Sequence, residues 1–389
     1  MNTRYTLFGR ILAICYGLAS VLLFVYSYTQ VDLGLTLTSV SIWQSIQKWF
    51  QHIGYFNRPL STGIYLGILA VFFSLYIVTI IAIHKKRLTS KDLWLIIGTV
   101  VVGTVLSYPA FSYDLFNHMF TAKTVLIYHK NPYEVIPLQF AGVDPWLAFM
   151  HWTHVRSIYS PLWILATLPP YFFGFGYLLL IMWNFKVLLA ASYILAVWAI
   201  GKILELDRSE KRLFGMAVFA LNPLVIIESL VSAHNDILMM ALAVLAIYLF
   251  SKKGKIASLF VLSLSIATKL MTICLLPVWL LGWKRWMAFL AMCVGLFAFL
   301  TQREIMSWYF LWILPFVALL PDIQILTVIS GGVSLGLLLR YAPFLYYGHW
   351  NDPVPAMKLW TTYVPIAVSI VLSLILYLLK RKKATHQFS

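Results

Sequence analysis

The sequence predicts an all-α, polytopic integral membrane protein: a bundle of about twelve transmembrane helices with a large outer loop carrying membrane-surface helices. Three observations lead there. Hydrophobic residues make up 61% of the 389 positions and charged ones only 11%, with a mean hydropathy of +0.86, whereas soluble domains carry about 25% charged residues. Apolar stretches of spanning length recur from residue 11 to residue 379. Lysine and arginine collect in short clusters between those stretches. A net charge of +16 in a soluble protein would point to nucleic acid. Here the position of the cations explains it, because basic loops next to spans stay in the cytoplasm, and no nucleic-acid partner is expected. Cys15, Cys274 and Cys293 fall inside apolar stretches without ligand spacing, which reads as buried thiols.

Taken in order, the first apolar stretch (residues 11–29) follows Arg4 and Arg10 and has no small-x-small cleavage pattern, so it reads as a retained anchor rather than a signal peptide. Residues 1–92 then form an N-terminal transmembrane pair with a cytoplasmic loop, residues 93–320 a core, and residues 321–389 a C-terminal pair with a basic tail. Basic clusters at residues 4 and 10, 85–91, 202–212, 252–255, 284–285 and 380–383 are all placed on the cytoplasmic side. Two apolar stretches lie between residues 111 and 202. The charge rule is obeyed only if the second alone crosses, and the first holds Pro161, Pro169, Pro170, Gly174 and Gly176, which disfavour one continuous helix. Residues 112–176 are therefore one outer segment. Residues 256–282 have basic clusters at both ends, so the chain must enter and return. At about 1.5 Å per residue that length makes two short helices meeting at Lys269. The reading is a multi-pass plasma-membrane protein with both termini cytoplasmic.

That topology gathers the unusual polar residues on one face: Asp114, His234, Asn235 and Asp236, Lys269, and Arg303. Ionisable groups at membrane depth cost roughly 2.5–3.5 kcal/mol each on insertion scales and are functional candidates by default. A carboxylate, a His-Asn-Asp group and two cations together make a site for a phosphate-bearing lipid. Structural roles stay open beside the functional ones. Asp114 and Asp236 also fit helix N-caps, and Lys269 fits a side chain snorkelling to the interface. Arg303 and Glu304 fit an exposed ion pair. Trp308, Tyr309 and Trp312 fit an interfacial belt. His151 and His154 have i, i+3 spacing but lack a third ligand.

At these residues the chain resembles the C-type (GT-C) glycosyltransferases, most closely the bacterial polytopic mannosyltransferases that depend on polyprenol-phosphomannose. The likeness covers about residues 93–320. A span ends in Asp114 within "YDLFNHMFTAKTVLIYHKNPYEV", similar to the family's Asp, helix and Asn-Pro-Tyr turn (Asn131, Pro132, Tyr133). "YSPLW", "ALNPLVIIESLVSAHND", "SIATKLMTICLLPVW" and "SWYFLWILP" follow in the family's order. Two departures are Leu270 where Pro is common, and a single Asp where many relatives pair two acidic residues. The resemblance implies transfer of a hexose, most often mannose, from a polyprenyl-phosphate donor to a glycolipid or glycan hydroxyl, with inversion at the outer face. It implies Asp114 as general base, with Lys269, then Arg303 and His234, on the donor phosphate. Asn235, Asp236, Tyr133, Tyr159, Trp308 and Tyr309 would line the sugar, acceptor and lipid groove. No cofactor is expected; a divalent metal is allowed by the chemistry but not indicated. Two other readings remain: a transporter or flippase of lipid-linked sugar, which would favour internal repeats, and a surface-polysaccharide ligase or polymerase.

Overall fold

The computed structural model describes residues 5–386, with only the backbone described for residues 380–386. Arg4 and the side chains of the basic tail at 380–383 therefore lie outside the described residues. The chain is all helical: three quarters of it is helix, with no strand among the described residues.

Five helices are long and apolar enough to cross a membrane: Leu7–Gln30, Arg58–His84, Leu178–Asp207, Gln324–Tyr347 and Val354–Leu379. A helix pair bent by 55°, Ser209–Ala220 with Pro223–Val231, brings the number to six. Five further apolar helices run only 10–17 residues. Among the described residues, then, at most six of the about twelve expected transmembrane segments are long enough to cross alone. The reason is visible in the sequence: Pro223, Pro277 and Pro315 each open a new short helix inside a continuous apolar run. Hydropathy reads such runs as uninterrupted. Proline cannot donate a backbone N–H, and before Pro223 the chain at Asn222 is extended, whereas Pro277 and Pro315 sit in the first turn of their helices.

The elements that place the site are few. We number the helices α1 (Leu7–Ser27), α2 (Ser41–Gln51), α3 (Arg58–His84), α4 (Ser90–Thr104), α5 (Asp114–Leu126), α6 (Pro161–Phe172), α7 (Leu178–Asp207), α8 (Arg212–Ala220), α9 (Pro223–Ile226), α10 (Asp236–Ser251) and α11 (Lys255–Thr268). Helix α4 starts with a capping box in which the Thr89 side chain and Asp92 satisfy each other's backbone N–H. The same Asp92 carboxylate also accepts from the Thr6 backbone N–H and hydroxyl at 2.9 and 3.1 Å, which fastens the start of α1 beside it. Helix α6 is twelve residues long, too short to cross alone. Helices α8 and α9, the π turn Ile227–Val231 and α10 form the buried centre, with α7 and α11 packed on α10. Residues 256–282 make the expected pair of short helices: α11 ends at Lys269, and a 3₁₀ turn (Leu270–Leu275) leads into α12 (Leu276–Leu280).

Lys186 of α7 is fully buried. Its ammonium donates to the carbonyls of Ser107, at 2.5 Å, and Val231, at 3.0 Å. One side chain thus ties the loop leading to Asp114 to the end of the π turn leading to His234. Replacing it by methionine keeps the stem and leaves both carbonyls without a donor. Lys186→Met is expected to lower stability by about 2–3 kcal/mol, read as an earlier thermal unfolding transition in detergent; an unchanged transition would show that the two loops are held by other contacts.

Candidate active site

Four segments converge. The first is the start of α5. Asp114 is its first helical residue rather than its cap: Tyr113 holds the cap position, and no side chain caps the helix. The N-cap role open from sequence is therefore not taken. The carboxylate is 27% exposed, and its nearest charged partner is His234, with Nδ1 3.8 Å from Oδ2. Further along α5, buried His118 accepts a 2.9 Å bond at Nδ1 from the Trp163 indole of α6. Burial, and then the charges of His234 and Lys269, hold His118 well below its usual range, so it stays neutral.

The second segment is the break after α8. Asn222 is extended before Pro223, caps α9 by accepting from the Leu224 N–H at 2.9 Å, and donates to Ser334 at 3.0 Å. A π turn follows, a geometry that recurs at functional sites. Ala233 then takes a left-handed conformation at φ 62, which reverses the chain so that the His234 N–H reaches the Glu228 carbonyl at 3.0 Å. This brings the two side chains together as well: His234 Nε2 lies 3.3 Å from Glu228 Oε2. Glu228 is fully buried and accepts the Tyr341 hydroxyl at 2.9 Å through its other oxygen. Asn235 caps α10 with its backbone only. Asp236, like Asp114, is a first helical residue without a capping role.

Lys269 and the aromatic turn Ser307–Trp312 complete the site. Asp236 Oδ1 receives Lys269 Nζ at 2.7 Å and the Trp312 indole N–H at 2.5 Å. A 3₁₀ helix has three residues per turn, so Tyr309 and Trp312 share one edge, with their rings 4.9 Å apart. Lys269 sits over both, at 5.9 and 5.5 Å. Trp308 stacks on His234 with centroids 4.0 Å apart. The three rings therefore line a charged cluster instead of forming a belt at an interface. Lys269 remains 31% exposed, and an ammonium has three donors, so its bond to Asp236 leaves hydrogens for another anion.

Tyr133 and Tyr159 form a strap beside this cluster. Asn131 closes the Asn-Pro-Tyr turn by accepting from the Tyr133 N–H at 3.1 Å, and the Tyr133 hydroxyl donates to the Tyr159 carbonyl at 2.7 Å. The Tyr159 ring packs on His118 at 4.3 Å. Burial, and then the charges of Asp114 and Asp236, hold its phenol well above the usual range. Ser160 caps α6 and donates to the Thr268 carbonyl at 2.7 Å, one residue before Lys269. Arg303 forms no ion pair with the cluster among the described residues, though its charge reaches Tyr309. It is exposed, and Glu304 pairs with Arg340 and with Lys358, the latter at 2.6 Å, rather than with Arg303. His151 stacks on Tyr113 at 3.7 Å, with Nε2 3.5 Å from Asp32, and no group of metal-binding side chains occurs among the described residues.

Glu228, Tyr341 and His118 were not singled out from sequence, and Trp312 was read there only with the aromatic residues of a belt or sugar platform. Glu228 could have been: a glutamate inside an apolar span meets the same rule as Asp114. Tyr341 and His118 carry no such local signal, because only packing brings them in.

The alpha-(1->6)-mannopyranosyltransferase N-terminal domain family (MptA_B family) matches residues 14–285. No curated protein and no solved structure matches the chain. The matched part holds Asp114, Glu228, His234, Asp236 and Lys269, and stops before Trp308, Trp312 and Tyr341.

Removing the Asp236 charge leaves a half-buried lysine without its counter-ion. Asp236→Asn is expected to cost about 1–3 kcal/mol of stability, at the low end of buried pairs because Lys269 is partly solvated. Adding Lys269→Met should recover most of that loss in thermal unfolding; additive losses would mean that the two residues stabilise the fold separately.

Proposed function

The chain belongs to the alpha-(1->6)-mannopyranosyltransferase family, and from that premise we propose that it moves a mannosyl group from a polyprenyl-phosphate donor to a glycolipid or glycan acceptor at the outer face of the plasma membrane. It is a membrane-embedded glycosyltransferase of a mannosyltransferase family; donor, acceptor, face and residue roles are our reading. The family description names an alpha-(1->6) linkage, so the acceptor group is a sugar's primary 6-hydroxyl. With inversion, an alpha product requires a beta-linked donor. Both termini lie in the cytoplasm in this reading, which puts Asp114 and Lys269 outside.

One observation carries it: a half-exposed carboxylate without a capping role stands in the same cluster as a half-exposed lysine with donors to spare. Asp114 removes the proton of the acceptor hydroxyl as that oxygen bonds to the anomeric carbon. The bond from the anomeric carbon to the phosphate oxygen breaks, and its electron pair leaves with the polyprenyl phosphate. Negative charge grows on that oxygen in the transition state, so a lysine fixed by Asp236 and two aromatic faces stabilises the transition state more than the ground state. Asn235 and Asp236 contact sugar hydroxyls. Tyr133, Tyr159, Trp308 and Tyr309 line the groove, Arg303 adds positive charge at its edge, and His234 stands beside Asp114. The chemistry needs no cofactor.

The test uses purified protein in detergent, radiolabelled polyprenyl-phosphate mannose and a membrane-lipid extract. Asp114→Asn is expected to lower transfer about 10²–10⁴-fold with donor binding retained. Lys269→Met should lower kcat about 10²–10³-fold. Undiminished transfer by Asp114→Asn would remove the proposed base, and mannolipid crossing liposome membranes without a glycosidic product would replace a transferase by a flippase.

A further inference from the structure

His234 lies between two carboxylates. Its Nδ1 faces Asp114 Oδ2 at 3.8 Å and its Nε2 faces Glu228 Oε2 at 3.3 Å. Both His234 Nε2 and Glu228 Oε2 are buried and neither has a hydrogen-bond partner, so across their 3.3 Å separation each is the nearest charged group to the other without a formed bond. Trp308 stacks flat on one face of the ring, at 4.0 Å and 19°, which favours the plane that faces both carboxylates. The second Glu228 oxygen is held by Tyr341. The row therefore runs Asp114, His234, Glu228, Tyr341, from the half-exposed end inward.

We propose that Glu228 is a positioning residue which fixes the His234 tautomer, and that His234 takes on the proton collected by Asp114. This rests on Asp114 being the base. A carboxylate facing one ring nitrogen keeps the proton there and leaves the other nitrogen as an acceptor, the logic by which an acid orients the imidazole of a hydrolase triad. With the proton on Nε2, facing Glu228, the Nδ1 lone pair is on the Asp114 side. The steps balance. The acceptor O–H proton passes to Asp114 Oδ2 as the glycosidic bond forms and the bond to phosphate breaks. Protonated Asp114 becomes a donor, closes the 3.8 Å gap by about 1 Å as catalytic hydrogen bonds do, and hands the proton to Nδ1. The imidazolium then sits between two carboxylates, Asp114 is again a base, and the proton leaves later to the product phosphate or to water.

The arrangement explains two features that donor binding alone does not. A glutamate without a cation partner at the buried end of the row is costly unless it serves a charge that appears there. The left-handed residue Ala233 is needed for no helix, yet it aims His234 back at Glu228. The charged and titratable groups around His234 are Asp114 and His118 on α5, Glu228 on the π turn, Asp236 on α10, Lys269 after α11 and Tyr341 behind Glu228.

The experiment is a kinetic cycle with wild type, Glu228→Gln, His234→Gln, the double variant and Asp114→Asn, each checked for thermal unfolding. Glu228→Gln is expected to lower kcat at least 10-fold with the donor KM unchanged. The double variant should be no slower than His234→Gln. If Glu228→Gln does not fold, Tyr341→Phe replaces it, with a smaller fall in kcat that disappears in the His234→Gln background. An unchanged kcat, a change confined to KM, or kcat losses that add, overturns the relay. Full activity in Asp114→Asn overturns instead the reading on which it rests.

Discussion

A helix that stops inside an apolar bundle releases backbone groups that hydrocarbon cannot solvate, and this constraint organises the centre of the molecule. The break between α8 and α10 frees several such groups at once, and polar side chains from other helices meet them. Tyr76 of α3 donates to the Val218 carbonyl at 3.4 Å, Tyr193 of α7 to Ala220 at 2.7 Å, and Lys186 of α7 to Val231 at 3.0 Å. Asn222 and Ser334 close the set. Each partner costs free energy to bury alone and is stable only in place. The break therefore fixes α3, α7 and Ser334 around itself as much as they fix it.

The site inherits its rigidity from that arrangement. Lys186 also holds the Ser107 carbonyl, so the loop before Asp114 and the turn before His234 share one anchor. Three carboxylates face one lysine here, an unfavourable balance unless each is compensated. Asp236 is, by Lys269 and Trp312; Glu228 is, in part, by Tyr341; Asp114 has only a long contact to His234. The carboxylate left with the least support is the one with access to solvent. In the proposed reaction that leaves the Asp114 oxygens free to come within hydrogen-bond reach of an acceptor hydroxyl.

Composition and the positive clusters made the membrane class legible, and the lysine hairpin at residue 269 followed from charge on both flanks of a run too short for two full spans. The number of crossings did not follow, because apolar runs divided by Pro223, Pro277 and Pro315 read as continuous to hydropathy while the backbone treats them as separate short helices. Asp114, His234, Asp236 and Lys269 were legible because ionisable groups are rare in such a chain. Their partners were less so. Tyr341 and His118 look like any aromatic residue in an apolar stretch, and only the fold shows that one bonds Glu228 and the other receives Trp163. Arg303 was legible as a cation near Trp308, and it is an exposed residue whose charge reaches Tyr309.

The division of labour along the chain has a physical consequence. The charged groups Asp114, Glu228, His234, Asp236 and Lys269 all lie within residues 14–285, the part that matches the family. The neutral groups that make those charges tolerable come from beyond it: Trp312 donates to Asp236, Tyr341 to Glu228, and Trp308 covers His234. Without the later elements, two buried carboxylates would lose their uncharged donors, at a cost of about 1–3 kcal/mol or more each, and the imidazole would lose the face that holds its plane. The charged groups come from the first three quarters of the chain, and the neutral groups that hold several of them come from the last quarter. The cluster therefore forms only where these two parts pack together, and a change in the aromatic turn at residues 307–312 reaches His234 and Asp236 without touching a charged residue.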